Sequence, residues 1–174
     1  VGTYLETRFT GGKLSVKVSE TGTSYYNVFV DGKLHKVVKV CGTDTLIHLV
    51  SGIDKRIHSL KIQKRSEGEF GKTTVHQFVL SGSGRLAEEP AVRTRHIEFI
   101  GNSRTCGYGT DGKHLDEPFL VETENCNLTF ASMVARYYDA DYTLIAHSGR
   151  GAARNYGDSV RVSKVTMKDR MLNT

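Results

Sequence analysis

Tryptophan is absent from this 174-residue sequence, proline occurs twice and cysteine three times. Three cysteines cannot all pair within one chain, so a disulfide-dense scaffold is excluded. Cys41, Cys106 and Cys126 show no C-x-x-C spacing, which argues against a structural zinc site, and neither a metal nor another cofactor is expected. A Cys106–Cys126 bridge would suit an extracellular protein, but three buried free thiols are the simpler expectation. No apolar run approaches the ~20 residues that cross a bilayer, so no membrane span is expected. No signal peptide is visible and the first residue is Val1 rather than Met, so the sequence is expected to begin after a processing site or at a cloning boundary.

What is present reads as a folded chain. Hydrophobic residues make up 38% and charged residues 25%, too apolar for a disordered segment. The net charge is +5, and all of it lies in residues 1–94, which carry 14 Lys/Arg against 9 Asp/Glu; residues 95–174 carry 10 of each. A basic half raises nucleic acid as a partner. Against that, Lys13-Leu14-Ser15-Val16-Lys17-Val18 alternates charge with apolar side chains, which places lysines singly on the solvent face of strands. No nucleic-acid partner is expected.

Residues 3–9, 13–18, 25–30, 33–40, 45–50, 58–64 and 75–80 read as seven short strands separated by turns. Asp31-Gly32 between two alternating runs predicts a two-residue type I′ hairpin, because both positions need φ > 0. Seven strands without a helical period predict an antiparallel β-sandwich of jelly-roll type over residues 1–84. Ser81-Gly82-Ser83-Gly84 and the polar stretch around Glu88-Glu89-Pro90 mark a boundary, with residues 85–95 as linker.

The pattern then changes. Residues 96–100 form an apolar strand ending in Gly101-Asn102-Ser103. Residues 122–138 read as a helix that Thr123 can cap, with Phe130, Val134 and Tyr137 on one face. Residues 142–146 form a second apolar strand ending in Ser148-Gly149-Arg150-Gly151. Strand, helical crossover, strand predicts a βαβ unit with parallel strands. Only a short helix within 163–171 follows. Parallel sheets are covered on both faces, so two strands alone leave apolar faces and edges bare. The expectation is that a further segment or another chain completes this sheet.

Ser103 lies at the end of a parallel strand, where open α/β sheets place their active sites. Backbone N–H groups at such a turn can stabilise an oxyanion, and those near Ser148-Gly149 can face the same crevice. A strand-to-helix turn needing Gly and a cap explains a lone G-x-S equally well. Tyr108 and Tyr156 lie on nearby loops and are candidate substrate-binding residues, while Asp158 reads as a turn residue.

The run Ile97-Glu98-Phe99-Ile100-Gly101-Asn102-Ser103-Arg104-Thr105-Cys106-Gly107-Tyr108-Gly109 resembles the nucleophile block of SGNH hydrolases, carbohydrate esterase family 2 in particular. Glu122-Thr123-Glu124-Asn125, Ala140-Asp141-Tyr142 and Ser148-Gly149-Arg150-Gly151 are similar to that family in order and spacing. Residues 25–32 and 64–69 resemble its N-terminal jelly-roll domain.

The resemblance implies a jelly roll followed, over residues 96–174, by the first βαβ part of a flavodoxin-like three-layer SGNH domain. It implies a secreted, periplasmic or cell-surface deacetylase acting on acetylated plant-wall polysaccharide such as xylan or glucomannan. Ser103 becomes nucleophile and one oxyanion donor, Gly149 the second donor, and Asn102 a supporting residue where the family usually has Asp. The family's remaining parts, a G-x-N-D/E block and a late D-x-x-H block carrying the base, do not occur, so the 174 residues alone are expected to be inactive. His114 and His147 are weak candidates for that base. The alternative is a carbohydrate-binding module or a non-catalytic fragment.

Overall fold

A computed structural model describes residues 1–172. The chain divides into two compact units, one comprising Tyr4–Lys64 with Gly68–Val92 and the other Val1–Thr3, Arg65–Glu67 and the chain from Arg93 onward. Both groupings depart from simple sequence order: residues 1–3 and 65–67 go with the second unit, and residues 85–92 with the first.

In the first unit each expected strand forms: β1 (Tyr4–Thr10), β2 (Lys13–Glu20), β3 (Thr23–Val30), β4 (Lys33–Cys41), β5 (Thr45–Ser51), β6 (Ile57–Lys64) and β7 (Thr73–Ser81). An eighth, β8 (Arg85–Leu86), lies in the stretch expected to be linker, where it pairs with β1 and Ala87 N–H bonds to the Arg8 carbonyl. Two residues are too few for alternation to announce. All pairings are antiparallel, in sheets of order β4-β3-β6-β1-β8 and β5-β2-β7. The β3–β4 hairpin turns on Asp31 (φ 50°) and Gly32 (φ 75°), as the type I′ sequence requires. The inward residues of both sheets meet in one core, with Phe9, Val28, Leu60 and Ile62 from one and Leu14, Val16, Val18 and Leu49 from the other.

The second unit carries a two-stranded parallel sheet, β9 (His96–Gly101) and β10 (Asp141–Ala146), in register from His96–Asp141 to Gly101–Ala146. Its helices are short: α1 (Ser103–Cys106), α2 (Phe130–Tyr137) and α3 (Met167–Met171). Thr166 and Asp169 close a reciprocal capping box on α3.

The helix expected over 122–138 is reduced to α2. Val121–Thr123 and Cys126–Leu128 are single 3-10 turns. Thr123 does not cap a long helix; its hydroxyl donates to the Leu120 carbonyl. Tertiary polar contacts explain the break, since Arg65 donates to the carbonyls of Glu122 and Glu124, and the Asn125 side chain accepts from Asn127 N–H. The apolar stripe is also not the buried face. Phe130, Met133, Val134 and Tyr137 are exposed, whereas Ala131, Ser132 and Ala135 are buried, small enough for close approach. All three cysteines are free, but Cys41 is exposed, contrary to expectation, and only Cys106 and Cys126 are buried. Among the described residues no helix is long and apolar enough to cross a membrane.

Candidate functional site

The site grows from the ends of β9 and β10. Their parallel register sets Gly101 beside Ala146, and His147 N–H donates to the Gly101 carbonyl (3.3 Å). The residues that follow each strand therefore emerge side by side. After β9 the chain turns sharply into α1. Gly101 must lack a side chain, because a Cβ there would lie 2.1 Å from Thr105 Oγ1. Asn102, not Ser103, is the cap: its side chain accepts from Arg104 N–H (3.2 Å). That frees Ser103, whose hydroxyl has no hydrogen-bond partner among the described residues.

After β10 the loop is held on both sides of one residue, Ser148. Ser148 N–H donates to Glu67 Oε2 (2.8 Å), and His147 Nδ1–H donates to the Ser148 carbonyl (2.8 Å). Gly149 follows at φ +74° with open space around its Cβ position, so the left-handed conformation, not close approach, selects glycine there. Its N–H has no acceptor among the described residues, while its carbonyl accepts from Tyr156 N–H (2.9 Å). Asp158 accepts from the Ser163 hydroxyl and serves the local turn.

One cavity of about 600 Å³ gathers these pieces. Asn102, Ser103, Tyr108, Gly149 and Tyr156 all line it, together with Ser148, Arg150, Gly151 and Arg154. Tyr108 presents one ring face, because the other stacks on Phe119 at 3.8 Å between centroids. Tyr156 is 93% exposed at the rim. Arg154 was not anticipated; it sits in a polar loop whose sequence carries no periodic or motif signal.

Neither candidate base reaches Ser103. The His147 imidazole is spent on the Ser148 carbonyl, with Nδ1 3.9 Å from Glu67 Oε2. Asp111-Gly112-Lys113-His114 has D-x-x-H spacing, but Asp111 pairs with Arg65 and accepts from Asn125 Nδ2 (3.0 Å), and exposed His114 is not among the cavity's lining.

Beneath the loop lies a buried polar layer that sequence reasoning did not reach. Arg65 (2% exposed) donates Nε–H to the Glu124 carbonyl (2.7 Å) and Nη2–H to the Glu122 carbonyl (3.1 Å). Glu67 (2%) and Glu124 (0%) are buried side by side, with Glu67 N–H donating to Glu124 Oε2 (2.8 Å). Burial, with the neighbouring Glu67 carboxyl, pushes the Glu124 carboxyl well above the usual carboxylate range. Burial likewise pushes up the Cys106 thiol, and lifts that of Cys126 to about 12, so both remain protonated and unreactive. Glu67, Cys106 and Glu124 place potential metal-ligand atoms within 4.8 Å of one another.

The family model for the carbohydrate esterase 2 N-terminal domain matches residues 1–90. The chain belongs to carbohydrate esterase family 2. Among curated relatives it is 35% identical over 156 residues to the cellulase/esterase CelE of Acetivibrio thermocellus, covering 90% of this chain and 19% of that protein. It is 30% identical over 155 residues to an acetylxylan esterase/glucomannan deacetylase of Cellvibrio japonicus, covering 88% of this chain and 42% of that protein. The chain thus spans less than half the length of these curated relatives. Among solved structures, a family two carbohydrate esterase from Clostridium thermocellum in complex with cellohexaose superposes with a TM-score of 0.86 at 34% identity, over 91% of this chain and 49% of that one. An active-site mutant of a family two esterase from the same organism, also with a cello-oligosaccharide, gives 0.89 at 33% identity, over 98% and 51%.

Proposed function

We propose that Ser103 is the nucleophile of a family 2 esterase that removes O-acetyl groups from acetylated plant-wall polysaccharide. One observation carries this reading: the unpartnered Ser103 hydroxyl shares a cavity with Gly149, whose backbone N–H has no acceptor among the described residues. Ser103 Oγ attacks the acetyl carbonyl, and the N–H groups of Ser103 and Gly149 bind the oxyanion that forms. Collapse expels the sugar hydroxyl and leaves acetyl-Ser103, which water then hydrolyses to acetate. The proton from Ser103 passes to an imidazole and from there to the leaving oxygen. No described imidazole contacts Ser103, so in this proposal the base comes from a segment or chain that also covers the β9–β10 sheet. In this reading the strand-rich unit, β8 included, is a jelly roll, and the other unit is the opening βαβ part of a flavodoxin-like SGNH domain. A polymeric substrate that cannot enter cells fits a secreted, periplasmic or cell-surface setting.

Tyr108 and Tyr156 offer ring faces to a sugar, and Arg150 and Arg154 offer donors to its hydroxyls. The cellohexaose-bound relative favours a second reading for the same cavity, glycan binding without hydrolysis. Acetate release from acetylated xylan separates the two. In the whole protein, Ser103→Ala should lower kcat by about 10⁴-fold or more, and the 174 residues alone should turn over no faster than that variant. Appreciable turnover by the 174 residues that disappears in Ser103→Ala would overturn the claim that the base lies elsewhere. A whole protein whose acetate release is unaffected by Ser103→Ala would overturn the nucleophile.

A further inference from the structure

Glu67 and Glu124 are an uneconomical pair to bury. Each has one carboxyl oxygen satisfied by a backbone N–H: Glu67 Oε2 accepts from Ser148, and Glu124 Oε2 accepts from Glu67. The second oxygen of each, Oε1, is buried with no hydrogen-bond partner among the described residues. Two ionised carboxylates so placed would repel one another and leave two desolvated acceptors without donors. The nearby Arg65 guanidinium is directed to Asp111 and to the Glu122 and Glu124 carbonyls, and the Val1 ammonium, whose charge favours an ionised Glu124, gives neither Oε1 a hydrogen bond. The buried Cys106 thiol adds a weak donor at most. The two carboxyls lie within reach of a side-chain hydrogen bond to one another, so a single proton answers both deficits: the protonated carboxyl donates through O–H and its neighbour accepts.

We propose that Glu67 and Glu124 share one proton, and that this hydrogen-bonded pair is the strut that fixes the Ser148 N–H, making Glu67 a positioning residue for the Ser148–Gly149 loop. The strut stands on contacts alone; its catalytic meaning, aiming the Gly149 N–H at the oxyanion, rests on the esterase reading above. The upward displacement of the Glu124 carboxyl agrees with a proton held there at neutral pH. The same three side chains could instead surround a cation, and the test separates the two.

The experiment uses the 174-residue chain labelled with carbon-13 at glutamate Cδ and nitrogen-15 on the backbone, at pH 7. One of the two buried carboxyls should give the signal of a protonated acid. Glu67→Gln should abolish that signal and keep Ser148 amide exchange near the parent rate, because the amide replaces the shared proton as donor and still accepts from Ser148. Glu67→Ala should speed Ser148 amide exchange by about tenfold or more, without comparable change across β1–β7. Two ionised carboxyls in the parent chain, a stoichiometric metal ion in the purified protein, or a Ser148 exchange rate indifferent to Glu67→Ala would each overturn the proposal. Should Glu67→Ala fail to fold, a protonated acid that persists in Glu67→Gln overturns it as well. None of these readouts depends on ester turnover, so an inactive enzyme with a protonated pair would sink the esterase reading and leave the strut standing.

Discussion

The strand-rich unit gathers Phe9, Leu14, Val16, Val28, Leu49 and Leu60 into one apolar core, whereas the unit carrying β9 and β10 buries Arg65, Glu67, Glu124, Asn125 and two thiols beside Ala131, Ala135, Tyr142 and Leu144. The first interior is held by removal of apolar surface from water, which is non-directional and tolerant of small shifts. The second adds to apolar burial a set of directed hydrogen bonds that fix the backbone at Ser148 and the turn at Asn102. The contrast shows where the chain spends stability on geometry. The orphaned carboxyl oxygens of Glu67 and Glu124 and the unpartnered Ser103 hydroxyl both fall in the second unit, as expected where a site is being shaped.

The largest effect should come from emptying the apolar interior. Phe9 is fully buried, and Phe9→Ala should cost about 3–5 kcal/mol, read as a lowered urea midpoint for the strand-rich unit. A loss under about 1 kcal/mol would break the comparison by showing that core to be loosely packed.

Next comes the polar interior. Arg65→Met keeps an unbranched stem but leaves Asp111 without its ion pair and two carbonyls without a donor. It should cost about 3 kcal/mol, reduced by the partial exposure of Asp111, with faster amide exchange at Glu124 and Asn125. Exchange that accelerated only in β1–β8 would contradict the assignment of Arg65 to the second unit.

The smallest effect sharpens the comparison, because the strand-rich unit buries titratable groups too, Glu20 and His58 among them. His58 is 4% exposed, with Nδ1 on Asp31 (2.7 Å) and Nε2 on Asp54 (3.0 Å). The Asp31 hydrogen bond holds the imidazolium above its ordinary range, and Asp31 and Asp54 are held below theirs. A raised folded-state value means the His58 contribution is complete below the ordinary histidine range and is lost as pH rises through the raised one. The depressed carboxylates contribute above the ordinary aspartate range and lose that contribution as pH falls. Thermal stability of this unit should therefore peak in mildly acidic solution and fall by on the order of a few degrees toward pH 8. His58→Gln should flatten that slope, and an unchanged slope would show that other groups set it.

How much of this was legible in the sequence follows from how local each signal is. Alternation in Lys13–Val18 and the Asp31-Gly32 pair are short-range cues, and the strands and hairpin formed where those cues placed them. The Gly101-Asn102-Ser103 and Ser148-Gly149 turns are local too, and the parallel register brings both to one cavity. The helix over 122–138 failed because its first half answers to Arg65, nearly sixty residues earlier, rather than to its own periodicity. Glu67 was invisible for the same reason, since its partners Glu124 and Ser148 are 57 and 81 residues away. The apolar stripe of α2 misled because small side chains, not large ones, face inward.

The most direct test is to titrate an acetylated xylo-oligosaccharide into the nitrogen-15-labelled chain and follow each backbone amide. If the cavity between the ends of β9 and β10 is the sugar-ester site, Ser103, Tyr108, Gly149 and Tyr156 should shift together and saturate at one concentration. Shifts confined to β1–β8, with those four amides unmoved, would assign sugar binding to the strand-rich unit and contradict the account.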